Sequence, residues 1–287
     1  LVTYVFVVDA GRQLAGLVAF RELAFAGPDQ PLAEIMVTRP FALRPDARVI
    51  DAMREVVRRH YPVYPVCDAA GHLLGVVRGS VLFEEQAFEI SAQAGAMVGV
   101  EREERLATPW QRALRFRHPW LQLNLVTAFV AAGVVGLFQG TVNRIVLLAV
   151  FIPVLSGQCS NTGCQALAVT LRGMTLGELT PSQAPALLLK EAWLGFLNGT
   201  LTGLVAAAGM FWLAHHEGHP EAWLLACITF VAMAGSCALS GTAGAAVPLA
   251  LKRLGADPAT ASSIFLTTAT DVVSMGLFLG LAAWLVG

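Results

Sequence analysis

Three amide side chains interrupt an otherwise apolar stretch of the sequence, SGQCSNTGCQALAVTLRG, at residues 156–173. Gln158, Asn161 and Gln165 recur through this stretch, and its first charged residue is Arg172. An amide without a hydrogen-bond partner in hydrocarbon costs several kcal/mol. Polar side chains in a membrane helix therefore face other protein or a water-filled path. The pattern raises the question of whether water or other protein groups form hydrogen bonds with these amides.

One carboxylate lies deep in the last apolar stretch, GADPATASSIFLTTATDVVSMG. Asp257 suits an N-cap and Pro258 the first helical position, so a helix is predicted to begin there. Asp271 follows 14 residues later, about 21 Å along the helix axis and near the middle of a bilayer. Of the six acids after residue 105, we expect only Asp271 to be unable to reach an interface. An acid at this depth is a functional-site hypothesis; the alternative is a protonated or hydrogen-bonded residue that only packs.

The composition separates a charged amino-terminal part from an apolar remainder. The 287 residues are 56% hydrophobic and 14% charged, against about 25% charged in soluble domains. Residues 1–105 hold 14 of the 20 acids and 11 of the 19 Lys and Arg residues. The net charge of −1 gives no support for nucleic-acid binding, and five cysteines argue against a secreted disulfide framework. We find no phosphate loop, nucleophile–base set or cofactor motif and interpret the protein as a non-enzyme.

The apolar part predicts five membrane-spanning helices. Each has about 20 or more mostly apolar residues, at residues 119–142, 145–171, 186–214, 221–250 and 258–286. The basic residues that flank them concentrate on one side: Arg112, Arg115, Arg117, Arg172, Lys190, Lys252 and Arg253. By the positive-inside rule the amino-terminal part is cytoplasmic and the carboxyl terminus lies outside.

Small residues recur at helical spacing in the third predicted span. Gly195, Gly199 and Gly203 stand four residues apart, a pattern that favours close helix packing. A histidine cluster, HHEGH at residues 215–219, is interpreted as a solvated loop, because no further ligand cluster is visible beside it.

The charged part contains a repeat that resembles cystathionine β-synthase (CBS) domains. YVFVVDAGRQLAGLVAFREL and YPVCDAAGHLLGVVRGSVL each contain a strand, an Asp/Gly turn, a second strand and a helix start. The resemblance implies an α+β tandem pair, with a partial first domain at residues 1–30 and a second at residues 31–88. We interpret the chain as a fragment. Ala19 and Arg78 replace the hydroxyls that hold nucleotide in this family, so a dimerising, regulatory module is favoured over a nucleotide sensor.

Two membrane motifs resemble the MgtE magnesium channel family. PVLSGQCSNTGCQALAVTLRG is similar to its second span, and LKRLGADPATASSIFLTTATD to its last. The resemblance implies a connecting helix at residues 89–117, a pore domain at residues 118–287 and a homodimer in the cell membrane. It implies one pore along the dimer axis, lined by Asp271, Asn161, Gly157, Gly163 and Gln165, with Thr267, Thr268 and Ser263 near it.

A hydrated divalent ion fits this pore on physical grounds. Mg²⁺ loses its water reluctantly and is held by few carboxylates, and twofold symmetry turns one Asp271 into two. Cys159, Ser160, Cys164 and Ser263 depart from the family pattern, and thiolates favour softer metals. Transport of Mn²⁺, Co²⁺ or Zn²⁺ therefore remains an alternative to transport of Mg²⁺.

The resemblance also implies regulation by intracellular Mg²⁺, which would neutralise acids that otherwise repel one another. Ile90 stands where the family has an acid. The candidate regulatory residues are Glu84, Glu85, Glu89, Glu101, Glu103 and Glu104. A membrane-anchored CBS ligand sensor is the remaining alternative, which the intact Asp271 and Asn161 disfavour.

Overall fold

The structure is a computed structural model that describes residues 3–47, 49–57, 59, 61–260 and 262–286. The side chains of six further residues within helices lie outside the description: Ile50, Arg54, Val57, Gln86, Glu89 and Pro181. The chain divides into two compact units, residues 1–91 and residues 92–287. We describe each unit by itself.

The first unit opens with the predicted hairpin. Strand β1 (Tyr4–Val8) pairs antiparallel with β2 (Leu14–Ala19), and β3 (Val37–Thr38) adds to the far edge of β2. Helices α1 (Phe20–Phe25) and α2 (Leu32–Ile35) follow β2 and precede β3 in the chain. Asp9 closes the hairpin turn, because its Oδ1 accepts the backbone N–H groups of Gly11 and Gln13 at 2.9 Å.

The second half of this unit repeats the plan. Helix α3 (Val49–Val57) precedes the antiparallel strands β4 (Val63–Cys67) and β5 (Leu73–Arg78), and α4 (Gly79–Met97) follows. Asp68 closes this hairpin turn as Asp9 closes the first, because its Oδ1 accepts the backbone N–H groups of Ala70 and His72 at 2.9 Å. The His72 ring nitrogen Nδ1 lies 2.9 Å from the other carboxylate oxygen. This hydrogen bond lowers the pKa of Asp68.

The core of the second half is built around Tyr64. Its side chain is fully buried with Met53 and Val56. The phenol hydroxyl donates to the Val56 carbonyl at 3.2 Å and accepts the Tyr61 N–H at 2.8 Å. Burial raises the pKa of Tyr64. The hydrogen bonds matter because a buried hydroxyl without partners would oppose folding.

The second unit contains five helices that are long and apolar enough to cross a membrane, among the residues described. They are α5 (Trp110–Leu137), α7 (Leu147–Leu176), α8 (Ala184–His216), α9 (Ala222–Arg253) and α10 (Ser262–Leu285). The short helix α6 (Gln139–Arg144) joins α5 to α7, and a 3₁₀ turn (Pro181–Gln183) precedes α8. The prediction of five spans and of an α+β part followed by an all-helical part is confirmed.

Two predicted helix starts are wrong. The first span begins at Trp110 and continues through Pro119, because a proline is tolerated within a membrane helix. The last begins at Ser262 and not at Pro258. Asp257 instead caps a turn: its carboxylate accepts the Ala259 N–H at 3.0 Å and the Thr260 hydroxyl at 3.1 Å.

The interval 89–117, predicted as one connecting helix, is not continuous. Helix α4 ends at Met97, and α5 begins at Trp110. Gly99 has a φ of +78°, and the Val100 N–H returns to the Gly95 carbonyl at 2.9 Å. A left-handed glycine with such a returning hydrogen bond ends a helix.

Glycines set the spacing of the membrane helices. A Cβ added to Gly195 of α8 would lie 2.3 Å from the Cys237 carbonyl oxygen of α9, and one added to Gly199 would lie 2.7 Å from the Cys237 Cβ. A Cβ on Gly244 of α9 would lie 2.2 Å from the Gly163 oxygen of α7. The close-packing prediction for the α8 glycines is therefore confirmed.

Candidate ion site in the membrane unit

Asp271 lies inside α10, nine residues after Ser262, which is about 14 Å along the helix axis. Its side chain is half-buried. The Ser156 hydroxyl of α7 donates a hydrogen bond to Asp271 Oδ1 at 2.5 Å. Helix α7 thus holds the carboxylate in one orientation.

A second hydroxyl pair joins the same helices one turn along α7. Ser160 Oγ lies 3.0 Å from Thr270 Oγ1. Thr270 Oγ1 donates to the Thr267 carbonyl at 2.9 Å, so the Ser160 hydroxyl is the donor to Thr270. Residues four apart lie on one helix face. Ser156 and Ser160 therefore form the α7 side of the contact with α10, a role that the sequence analysis missed.

Gly157 and Asn161 follow those two serines and are exposed on α7. A Cβ added to Gly157 would meet no atom within 4 Å. The α7 backbone at Gly157 is therefore open to a ligand. Carboxylate, amide and hydroxyl oxygens are the ligand types that Mg²⁺ accepts, together with its own water.

Of the other two predicted α7 positions, Gln165 lies four residues after Asn161 on the same face, whereas Gly163 does not. Gly163 is buried, and an added Cβ would lie 3.1 Å from Leu266 Cδ1 and 3.2 Å from the Ser240 carbonyl oxygen. Its absent side chain lets α7 approach α9 and α10. Gln165 lines a separate cavity of about 200 Å³ that also includes Lys190 and Glu191 of α8.

The predicted hydroxyl residues of α10 mostly satisfy backbone carbonyl groups. Thr267 donates to the Ser263 carbonyl at 2.8 Å, and Thr268 donates to the Ile264 carbonyl at 3.0 Å. Ser263 donates to the Met97 carbonyl at 2.6 Å, which ties the end of α4 to the start of α10. The Thr267 and Thr268 oxygens keep lone pairs for a ligand, whereas Ser263 acts as a tether.

The predicted regulatory glutamates have different surroundings. Glu84, Glu85 and Glu101 are exposed, and the Glu89 side chain lies outside the description. Glu103 pairs with Arg112 at 3.0 Å, and Glu104 pairs with Arg117. Among the described residues, no three His, Cys, Asp or Glu side chains are grouped as metal ligands.

The sequence analysis also missed a second buried acid. The Glu191 side chain is only 9% exposed, and Lys190 Nζ lies 3.9 Å from its Oε1. The sequence signal for this buried acid was the adjacent pair Lys190 and Glu191 inside an apolar helix. The pattern of basic residues had assigned that pair to a membrane edge.

Comparisons with known proteins agree with this arrangement. Residues 152–281 match the family described as MgtE, divalent cation transporter, and residues 32–84 match the CBS domain. The chain is 28% identical over 280 residues to the magnesium transporter MgtE of Enterococcus faecalis, covering 98% of this chain and 60% of that protein.

Two further proteins are similar to this chain. It is 29% identical over 285 residues to the magnesium transporter MgtE of Thermus thermophilus, covering 97% of this chain and 61% of that protein. The crystal structure of the soluble part of a magnesium transporter is similar to 31% of this chain and 35% of that one, at 26% identity and a TM-score of 0.30. The chain thus spans about three fifths of the length of the curated relatives that it matches. Over residues 152–281 the chain is thus similar to the MgtE family of divalent cation transporters, with a CBS match at residues 32–84 ahead of the five membrane-length helices.

Proposed function

We propose that this chain forms the CBS and membrane parts of a magnesium channel or transporter in which Asp271 attracts the ion. The observation that carries the proposal is the hydrogen bond of 2.5 Å from Ser156 to Asp271 inside a membrane-length helix. A carboxylate held in place near exposed Gly157 and Asn161 suits a cation that keeps its water.

The functional form is a homodimer whose twofold axis carries the pore. One subunit supplies a single Asp271, and a second copy would bring two facing carboxylates to the axis. Asn161 and Gly157 would line the same path with amide and backbone oxygens. Gln165 lies one turn after Asn161 on the same exposed face and would extend this lining, whereas Gly163 is buried against α9 and α10 and is not part of it.

The protein spans the cell membrane five times, with its CBS part in the cytoplasm and its carboxyl terminus outside. Support comes from Lys252 and Arg253 at the end of α9 and from Arg172 near the end of α7, on the side that the positive-inside rule assigns to the cytoplasm. The lipid bilayer would cover the exposed apolar side chains of the spans, which include Leu201, Leu204 and Trp212.

The CBS part regulates transport by sensing cytoplasmic cation. In this proposal residues 1–30 are a partial first CBS domain, residues 31–88 a second, residues 89–117 the connection, and residues 118–287 the pore. Glu84, Glu85, Glu89 and Glu101 are the acids that a cation would bridge. Glu103 and Glu104 already face arginines, so closure by Mg²⁺ should be weaker than in a relative with more unpaired acids.

Mg²⁺ is favoured over a softer divalent ion at the Asp271 site. Cys159 and Cys164 are the α7 thiols whose substitution suggested another metal. Cys159 faces Cys237 of α9, and Cys164 packs against the apolar cluster that contains Leu167 and Leu266. Cys164 therefore packs at the contact between helices, and oxygen atoms remain the proposed ligands at the Asp271 site.

The test is ion flux into proteoliposomes with a panel of divalent cations. Asp271→Asn should reduce Mg²⁺ flux at least tenfold while the protein keeps its oligomeric state, because the amide preserves size and removes charge. Glu178→Gln, at an exposed acid outside the membrane helices, is the matched control and should transport normally. Retained flux in Asp271→Asn would refute the pore assignment. Flux that does not respond to millimolar Mg²⁺ on the CBS side would refute the regulatory part alone.

A further inference from the structure

A second polar cluster lies where α7 crosses α9, on a different face of α7 from Ser156 and Ser160. The sulfur atoms of Cys159 and Cys237 are 3.8 Å apart, and both residues are at most 1% exposed. Thr162 Oγ1 lies 3.7 Å from the Cys237 sulfur. Two thiols and a hydroxyl thus converge within the membrane unit.

Two serine hydroxyls beside this pair have no hydrogen bond in the described part of the chain. Ser236 and Ser240 of α9 are 0% and 1% exposed, and their Oγ atoms are unpartnered. Both hydroxyls lie close to the Cys159 thiol. Buried Thr229, on the same helix, shows the usual alternative, because its hydroxyl donates to the Leu225 carbonyl four residues back at 2.8 Å. Unpartnered buried hydroxyls call for an explanation, such as an absent ion.

A separation of 3.8 Å lets one thiol donate a hydrogen bond to the other, and it also suits two ligands of one metal ion. Thiolates bound to one tetrahedral d¹⁰ ion through bonds of about 2.3 Å lie about 3.8 Å from each other, which is the separation of Cys159 and Cys237. A disulfide would require the sulfurs to close to about 2.05 Å. The present spacing therefore fits a shared metal ion without movement of either helix.

Charge balance allows such an ion in an apolar interior. Two thiols that lose their protons carry two negative charges, so a divalent ion makes the site neutral and two protons leave for solvent. A neutral site avoids the large cost of burying an unpaired charge. Hydroxyl oxygens of Thr162, Ser236 or Ser240 would complete the coordination.

A cavity between three helices offers an approach to this cluster. Thr162 contacts Cys237 and also lines the cavity of about 200 Å³ between α7, α8 and α9. Glu191 and Asn198 line the same cavity.

We propose that Cys159 and Cys237, assisted by neighbouring hydroxyls, bind a thiophilic divalent ion such as Zn²⁺ or Cd²⁺ at the crossing of α7 and α9. This site is separate from Asp271 and does not depend on the proposed transport function. An ion bound there links α7, which carries Ser156, to α9 and so restricts the helix beside the candidate pore.

The experiment uses the purified full chain, kept reduced in detergent, with Cd²⁺ as the probe. We expect one Cd²⁺ per chain, an ultraviolet thiolate-to-cadmium band and release of two protons per ion. Cys159→Ser and Cys237→Ser should each weaken binding at least a hundredfold. Cys227→Ser, at an exposed thiol on α9, is the matched control and should bind as the unaltered chain does.

Two variants keep the test decisive if a serine substitution impairs folding. Cys159→Ala removes the ligand without adding a polar group and should lose the band, while Ser240→Ala should leave the band and weaken affinity. Unchanged Cd²⁺ binding in Cys159→Ala or Cys237→Ser would overturn the proposal. So would the absence of the band in the reduced, unaltered chain. Mg²⁺ flux plays no part in these readouts, so failure of the transport proposal would remain distinguishable.

Discussion

Replacing Ser156 with alanine isolates the contact that orients the candidate pore carboxylate. The Ser156 hydroxyl donates to Asp271 Oδ1 at 2.5 Å, and Asp271 itself stays intact in this variant. The loss of the donor frees the carboxylate to rotate about its side-chain bonds and removes a bond that favours its charged form. We therefore expect Ser156→Ala to lower Mg²⁺ occupancy and flux without removing the ion-attracting group.

The magnitude follows from the type of bond. A hydrogen bond to a charged group contributes about 1.5–3 kcal/mol, and each 1.4 kcal/mol corresponds to about a tenfold change in an equilibrium constant. Asp271 is half-buried, so water recovers part of the loss and the lower end of that range applies. We expect a reduction in Mg²⁺ flux of about tenfold, smaller than the reduction in Asp271→Asn.

The assay is Mg²⁺ uptake into proteoliposomes that contain a fluorescent indicator, at matched protein density. Ser160→Ala is the control, because it removes a hydroxyl that bonds to Thr270 and not to the carboxylate; its flux should stay within about twofold of the unaltered chain. Ser156→Thr, which restores a hydroxyl, should recover most of the flux. Equal flux in Ser156→Ala and Ser160→Ala would refute the orienting role of Ser156.

Two further predictions concern the stability of the two units. Gly195→Ala should lower the thermal midpoint of the membrane unit in detergent, because its Cβ would lie 2.3 Å from the Cys237 carbonyl oxygen and overpacking costs about 1–3 kcal/mol. Gly133→Ala is the control and should leave the midpoint unchanged, because an added Cβ there meets no atom within 4 Å. Equal midpoints in the two variants would contradict the close contact. Asp68→Ala should destabilise the CBS part at neutral pH through loss of the turn bonds. Because the folded-state pKa of Asp68 lies below its ordinary 3.8, its ionised contribution is present above that value and is lost as pH falls through the folded pKa. The difference between the melting curves of the two forms should therefore begin to shrink as pH falls below 3.8 and should be lost through the lower folded pKa. A difference that is constant down to pH 2 would contradict this origin.

The sequence alone was sufficient wherever a structure depends on nearby residues. A helix in a bilayer needs only a long enough apolar run, because its backbone bonds lie within the segment; the five spans follow from composition, and Asp271 stands out within one of them. The hairpins follow from turns in which Asp9 and Asp68 bond to backbone groups two and four residues ahead. Such bonds join neighbours in the chain, so their pattern is legible in the sequence.

Only the tertiary structure decided which helix faces which. Helical periodicity assigns Ser156, Gly163 and Gln165 to different angles around α7, but it does not identify their neighbours. In the structure Ser156 contacts α10, and Gly163 contacts both α9 and α10. Gln165 lines the cavity next to α8. The helix starts at Trp110 and Ser262 likewise depended on more than local signals. These contacts join residues about 80 to 115 positions apart, such as Cys159 with Cys237 and Ser156 with Asp271. They follow from how close the glycines let the helices approach, which is a property of the assembled bundle.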